Sequence, residues 1–359
     1  MPEGQETSLI AADLRGLVRA MPKTEVHLHL DGSVRVDTAL DMARTRAVDA
    51  PRTWAAMRAA LVGPERVADQ AALLRAFDLP IALMQDAEAL ERTAADLVED
   101  KAFDHVRYLE VRWAPLLHVA GGLDGRAVVD AVARGAFAAA NRYGVEVRLI
   151  ATLLRAHPPA ANLAFMGALE ARGVPPGLVA VDLAGPEERF PDPEEHRAAI
   201  ELGRAIGLHV TLHAGEWGGA AQVRRALALD PERIAHGPHA IDDPALLGEL
   251  RIRGVWLDLC PTSNVQAAIV PSVADHPLAR LARAGVPVTL STDDSTVSDV
   301  TLSDEYERAV TRIGLTLPEL WAIDRAGIDA AFCDEATKDR LRAAFDAWAA
   351  PIPELHPAH

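Results

Sequence analysis

His27 and His29 stand two residues apart in Glu25-Val26-His27-Leu28-His29-Leu30-Asp31-Gly32. In an extended strand such residues share a face, about 6–7 Å apart along the backbone. Two imidazoles so placed can converge on one metal ion, while Val26, Leu28 and Leu30 fill the opposite face. A lone His-x-His also describes two polar residues on a half-exposed strand. The pattern gains weight from further groups: Asp182 and Gly185 in Asp182-Leu183-Ala184-Gly185, His213 and Glu216 in His213-Ala214-Gly215-Glu216, His236 before Gly237, and Asp293 beside Asp294. Imidazoles with a carboxylate suit Zn²⁺. A zinc site with an open position lowers the pKa of bound water to ~7. Glu216, three residues past His213, is placed to move a proton, help typically worth ~10²–10⁴-fold. His236 fits either a ligand or a group that orients the water.

These groups fall at the ends of apolar runs that read as strands: Thr24–Leu30, Val106–Trp113, Val145–Leu153, Leu178–Leu183, Leu208–His213, Arg233–His236, Val255–Leu259 and Val286–Ser291. Helical patterns alternate with them, as at Arg126–Arg142, Glu195–Ile206 and Pro244–Arg253. Eight strands alternating with helices predict an α/β fold, one (β/α)8 TIM barrel spanning residues 1–359, with its chemistry at the carboxyl ends of the strands. The helical stretch Arg35–Asp100 exceeds one crossover. Its apolar middle, Leu73–Ile81, suits a lid, and Asp86 is the expected N-cap of its last helix. Residues 1–8 read as frayed, Leu9–Ala20 as a short amphipathic helix and Pro351–His359 as a peripheral tail. Two-metal barrels of this kind use a lysine at the end of strand four. Lys23, Lys101 and Lys338 all lie far from Leu178–Leu183, so one ion per chain is expected. His105, His118, His196, His276 and His359 read as ordinary surface residues. Arg155, His157, Ser263 and Asn264 read as rim residues.

The 359 residues include 36 basic and 52 acidic ones, a formal charge of −16. That field opposes nucleic acid and anionic lipid and favours a small neutral or cationic substrate. No apolar run reaches the roughly 18–20 residues a bilayer span needs. The N-terminus lacks a secretory pattern and there are only two cysteines, Cys260 and Cys333. A cytoplasmic location is expected.

Eight segments in this order carry a resemblance: Glu25–Gly32, Leu74-Arg75-Ala76-Phe77-Asp78, Glu110-Val111-Arg112-Trp113-Ala114-Pro115, Asp182–Gly185, His213–Glu216, His236-Gly237, Cys260-Pro261-Thr262-Ser263-Asn264 and Thr292-Asp293-Asp294. Together they resemble the adenosine deaminase family of the amidohydrolase superfamily. The resemblance implies that His27, His29, His213 and Asp293 hold one zinc and that His236 aligns the attacking water. It implies that Glu216 protonates N1 of a 6-aminopurine, Asp294 meets N7, the Gly185 N–H meets N3, and Asp31 touches the ribose 5′-hydroxyl. The implied reaction turns adenosine into inosine and ammonia, and deoxyadenosine likewise into its own 6-oxopurine nucleoside. The alternatives are a 5′-modified adenosine (aminodeoxyfutalosine) or adenine. A nucleotide is less suited, since phosphate needs a basic clamp. The oligomeric state is left open.

Overall fold

A computed structural model describes residues 13–356. Eight strands form one sheet: β1 (Lys23–His29), β2 (Val106–Trp113), β3 (Glu146–Leu154), β4 (Leu178–Ala184), β5 (His209–Ala214), β6 (Arg233–His236), β7 (Trp256–Leu259) and β8 (Val288–Leu290). They lie in sequence order, each parallel to the next. Beyond β8 the chain pairs back on β1: Asp293 N–H donates to the His27 carbonyl at 3.1 Å, and His29 N–H to the Asp293 carbonyl at 2.7 Å. That parallel bridge, Leu28 with Asp293, closes the barrel. The expected (β/α)8 architecture is present. Strands β2 and β6 coincide with their predicted spans, whereas β8 begins two residues late. Pro287 precedes it and has no N–H to give the ladder.

Of the predicted helix Leu9–Ala20, residues 13–20 are helical. Residues 1–12 and 357–359 lie outside the described residues. Between β1 and β2 run the helices Val36–Thr45, Trp54–Leu61, Gln70–Leu74, Asp78–Leu83 and Ala87–Phe103. Asp86 caps the last of these, accepting from Ala89 N–H at 2.9 Å. The segment around Val67 and Leu73 packs on Ala267 and Val297, with Trp217 and Ile269 at its edge. The insertion therefore rests on the loops that follow β5, β7 and β8.

The interior of the barrel is charged rather than aliphatic at its centre. Arg112 lies 3.6 Å from both Asp182 and Asp258, Arg233 lies 3.3 Å from Asp258, and Arg233 also pairs with Glu110. All five side chains are fully buried, a placement that charges tolerate only when paired. Arg112 further donates to the Val26 carbonyl at 2.9 Å. A second buried pair, Lys101 with Glu25 at 2.9 Å, clamps the closure. Glu25 accepts from Thr292 N–H at 3.0 Å, and the Lys101 ammonium donates to Thr292 Oγ1 at 3.1 Å.

Lys101→Met leaves the buried Glu25 carboxylate without its counter-charge. Breaking such a pair typically costs about 3–5 kcal/mol, so equilibrium urea unfolding should show a loss of that order. A loss under about 1 kcal/mol would mean that the pair does not hold the closure.

Candidate active site

The strand ends bring four donors together. Ligand atoms of His27, His29, His213 and Asp293 all lie within 4.8 Å of one another. His27 Nε2 is 3.0 Å and His29 Nε2 3.3 Å from Asp293 Oδ1, and His29 Nε2 is 3.3 Å from His213 Nε2. Four ligands at 2.0–2.1 Å in a tetrahedron stand about 3.3 Å apart. These separations fit that geometry.

The surroundings aim the lone pairs inward. His213 Nδ1 donates to Asp182 Oδ1 at 3.0 Å, leaving Nε2 bare toward the cluster. Burial pushes the Asp182 carboxyl up, but His213 and Arg112 outweigh it and hold the group below the usual carboxylate range. Ser263 Oγ donates to Asp293 Oδ2 at 2.6 Å, which leaves Oδ1 for the cluster. Both ring nitrogens of His27 are buried with no hydrogen-bond partner. Burial drives His27 and His29 toward the neutral form, His29 down to about 3. A cluster of neutral imidazoles closed around an ionised carboxylate fits a metal cation.

Two of the site residues are held in left-handed backbone, His236 at φ 68° and Asp293 at φ 68°, a conformation uncommon outside glycine. Asp31 and Asp294 flank the cluster, each 5% exposed. A Cβ on Gly32 would fall 1.7 Å from Asp294 Oδ1, so a glycine is needed there for Asp294 to stand where it does. Glu216 Oε1 is 3.5 Å from His236 Nε2. Burial first, then Asp293 and Glu187, push the Glu216 carboxyl well above its ordinary value. Burial raises Asp31 to about 7, and burial with Asp293, Asp31 and Glu216 raises Asp294 well up. Gly185 follows β4 at φ 112°, with Arg155 beside it.

A sequence profile of the adenosine deaminase family matches residues 22–348. The chain belongs to the adenosine deaminase family. An adenosine deaminase of Clostridium perfringens is 35% identical over 326 residues, 90% of this chain and 97% of that protein. Two solved structures share the adenosine deaminase family barrel. An amidohydrolase from Burkholderia ambifaria with bound Zn superposes with a TM-score of 0.85 at 28% identity, covering 94% of this chain and 93% of that one. An adenine deaminase from Arthrobacter aurescens gives a TM-score of 0.85 at 25% identity, covering 92% and 99%. No helix among the described residues is long and apolar enough to cross a membrane.

Several residues around the family's site depart from the sequence reading. His118, His196 and His276 are buried, at 0%, 2% and 3% exposure, and are not surface residues. His118 bonds the Met84 carbonyl at 3.0 Å, His196 bonds Asn162 at 3.0 Å and His276 bonds Asn264 at 3.1 Å. His105 is exposed as expected, and His359 lies outside the described residues. Arg155 is buried and donates to the His213 carbonyl at 3.0 Å. Glu187 went unnoticed in Gly185-Pro186-Glu187. At 1% exposure it accepts main-chain N–H bonds from Gly215 at 2.8 Å, Glu216 at 3.1 Å and Gly218 at 3.0 Å. It pins the loop that carries Glu216. Irregular segments have no periodic signal of burial, and only a carboxylate next to a strand-end glycine hinted at it.

Glu187→Ala would leave three loop N–H groups without their acceptor, and each orphaned buried donor typically costs ~1–3 kcal/mol. Expected are a lowered unfolding midpoint and faster amide hydrogen exchange confined to residues 214–219. Unchanged exchange there would refute the clamp.

Proposed function

We propose that this chain hydrolyses adenosine to inosine, and deoxyadenosine to deoxyinosine, with release of ammonia, using one zinc ion held by His27, His29, His213 and Asp293. The observation that carries the reading is geometric: four donor atoms converge within 4.8 Å of one another, with buried carboxyls around them. Three carboxyls, Glu216, Asp294 and Asp31, surround the donor cluster, and burial pushes all three toward the neutral, proton-bearing form. A neutral carboxyl donates a hydrogen bond. A 6-aminopurine presents N1 and N7 as acceptors, so the site and the ring are complementary. The engagement of all three lysines elsewhere favours a single ion: Lys101 with Glu25, Lys23 with the Met21 carbonyl and Lys338 with the Asp329 carbonyl.

Zinc, when bound, supplies a water whose pKa falls to ~7 and which is nucleophilic at neutral pH. Glu216 gives its proton to N1, which draws electron density from C6 and opens that carbon to addition. His236, 3.5 Å from Glu216, orients the attacking oxygen. Asp294 donates to N7, the Gly185 N–H meets N3, and Asp31 takes the sugar 5′-hydroxyl. One proton of the attacking water restores the one Glu216 gave up and the other passes to the amino group. The C6–N bond then breaks, ammonia leaves, and the ring keeps the water's oxygen as a carbonyl. The same chemistry on adenine or on a 5′-extended adenosine such as aminodeoxyfutalosine is the second reading. The similarity to an adenine deaminase favours it, and it differs only at the sugar end, near Asp31.

Turnover of the zinc-loaded protein should be compared across adenosine, deoxyadenosine, adenine, AMP and 5′-extended adenosines, read as ammonia release. Adenosine is expected to give the highest kcat/KM. A higher value for adenine or an extended nucleoside would move the substrate, and ammonia from none would overturn the reading. Glu216→Gln is expected to retain about one zinc per chain by elemental analysis while kcat falls ~10²–10⁴-fold; near-normal turnover would refute the proton-transfer role. His213→Ala should lose the metal, and chelation of the wild-type protein should abolish turnover until zinc is restored.

A further inference from the structure

Behind His236 lies a chain of hydrogen bonds whose polarity is fixed at its far end. Leu278 begins the helix Leu278–Arg283, and its main-chain N–H, which can only donate, reaches His276 Nδ1 at 3.2 Å. His276 Nδ1 is therefore bare, and the ring proton of the neutral imidazole sits on Nε2. Burial keeps that ring neutral, its value pushed down to about 3. His276 Nε2 lies 3.1 Å from Asn264 Oδ1 and donates to it. With its oxygen so occupied, the Asn264 amide turns its Nδ2–H to His236 Nδ1 at 3.2 Å. His236 Nδ1 must accept, and its own proton is left on Nε2. That nitrogen points into the site, 3.5 Å from Glu216 Oε1 and 3.7 Å from Asp293 Oδ2. Asn264 and His276 are 0% and 3% exposed, so water does not compete for these bonds.

We infer that Asn264 and His276 are positioning residues that lock His236 as the Nε2–H tautomer and thereby keep it out of the metal's ligand set. His27, His236 and Cys260 offer ligand atoms within 4.8 Å of one another, so distance alone does not bar His236 from coordination. The proton does. An imidazole whose Nδ1 is occupied by an amide donor and whose Nε2 carries hydrogen has no lone pair to offer a cation. It has a donor to offer an oxygen. The alternative left open by the sequence, ligand or orienting group, is thus decided by a backbone N–H two hydrogen-bonded side chains away.

The inference rests on the deaminase reading for its catalytic meaning, but its primary test does not. Nitrogen-15 NMR of the zinc-loaded, ¹⁵N-histidine-labelled protein, with His236 assigned by difference from His236→Asn, should show a bare Nδ1 and a protonated Nε2. A protonated Nδ1 in the wild-type protein would overturn the relay, whether or not any purine is deaminated. Asn264→Asp keeps the shape and reverses the polarity, because a carboxylate accepts at both ends. His236 Nδ1 should then appear protonated, with kcat reduced at least about tenfold while zinc content and KM for adenosine stay within about twofold. A purely structural role predicts unchanged kcat and an unchanged tautomer in this near-isosteric variant, and that result would also overturn the inference. Should Asn264→Asp fail to fold, the wild-type spectrum still decides.

Discussion

Barrel closure and assembly of the four-donor cluster are the same event. The two main-chain bonds that join β1 to the residues after β8 run between His27, His29 and Asp293, three of the four converging donors. The pairing places these side chains on one rim at ligand distance without help from any loop. It also forces Asp293 into left-handed backbone. Strain of this kind, of order 1–3 kcal/mol, survives only where the surroundings over-determine it. Here the surroundings are the ladder bonds on either side, Ser263 on the carboxylate, and Glu25 with Lys101 holding Thr292 just before it.

Beneath the rim the barrel trades aliphatic packing for a chain of charge, Asp182–Arg112–Asp258–Arg233–Glu110. Replacing a buried ionic network by apolar side chains is often neutral or stabilising, so stability alone is a poor reason for its presence. Its upper end supplies a reason. Asp182 orients His213, and His213 and then Arg112 hold the Asp182 carboxyl below its usual range against burial. The charge chain thus anchors His213 from below while Asn264 and His276 anchor His236 from the side. Partners behind each donor fix tautomer and direction, which the donors alone do not.

The same burial that neutralises the imidazoles raises the carboxyls of Glu216, Asp31 and Asp294. One buried pocket therefore holds imidazoles pushed toward the neutral form beside carboxyls pushed toward the protonated one. Asp293 stays ionised among its histidines, and its negative charge is part of what raises Glu216. The cluster and Glu216 are electrostatically linked as well as adjacent.

The sequence by itself determined the eight alternating elements and the donors at their ends. Strand periodicity puts His27 and His29 on one face, and a parallel barrel gathers every strand's carboxyl end onto one rim. Such regularities survive in a one-dimensional string. What the tertiary structure alone decided were the residues behind the donors. Asp182 was legible as a strand-end group, but Glu187 and His276 act from irregular segments and Asn264 from the short helix Pro261–Gln266, where spacing carries little information about what faces what. His276 and Asn264 are 12 residues apart in the chain and 3.1 Å apart in space, and His118 and His196 proved buried for the same reason. A histidine's role depends on which of its nitrogens carries the proton, and that is set by partners that only folding brings together.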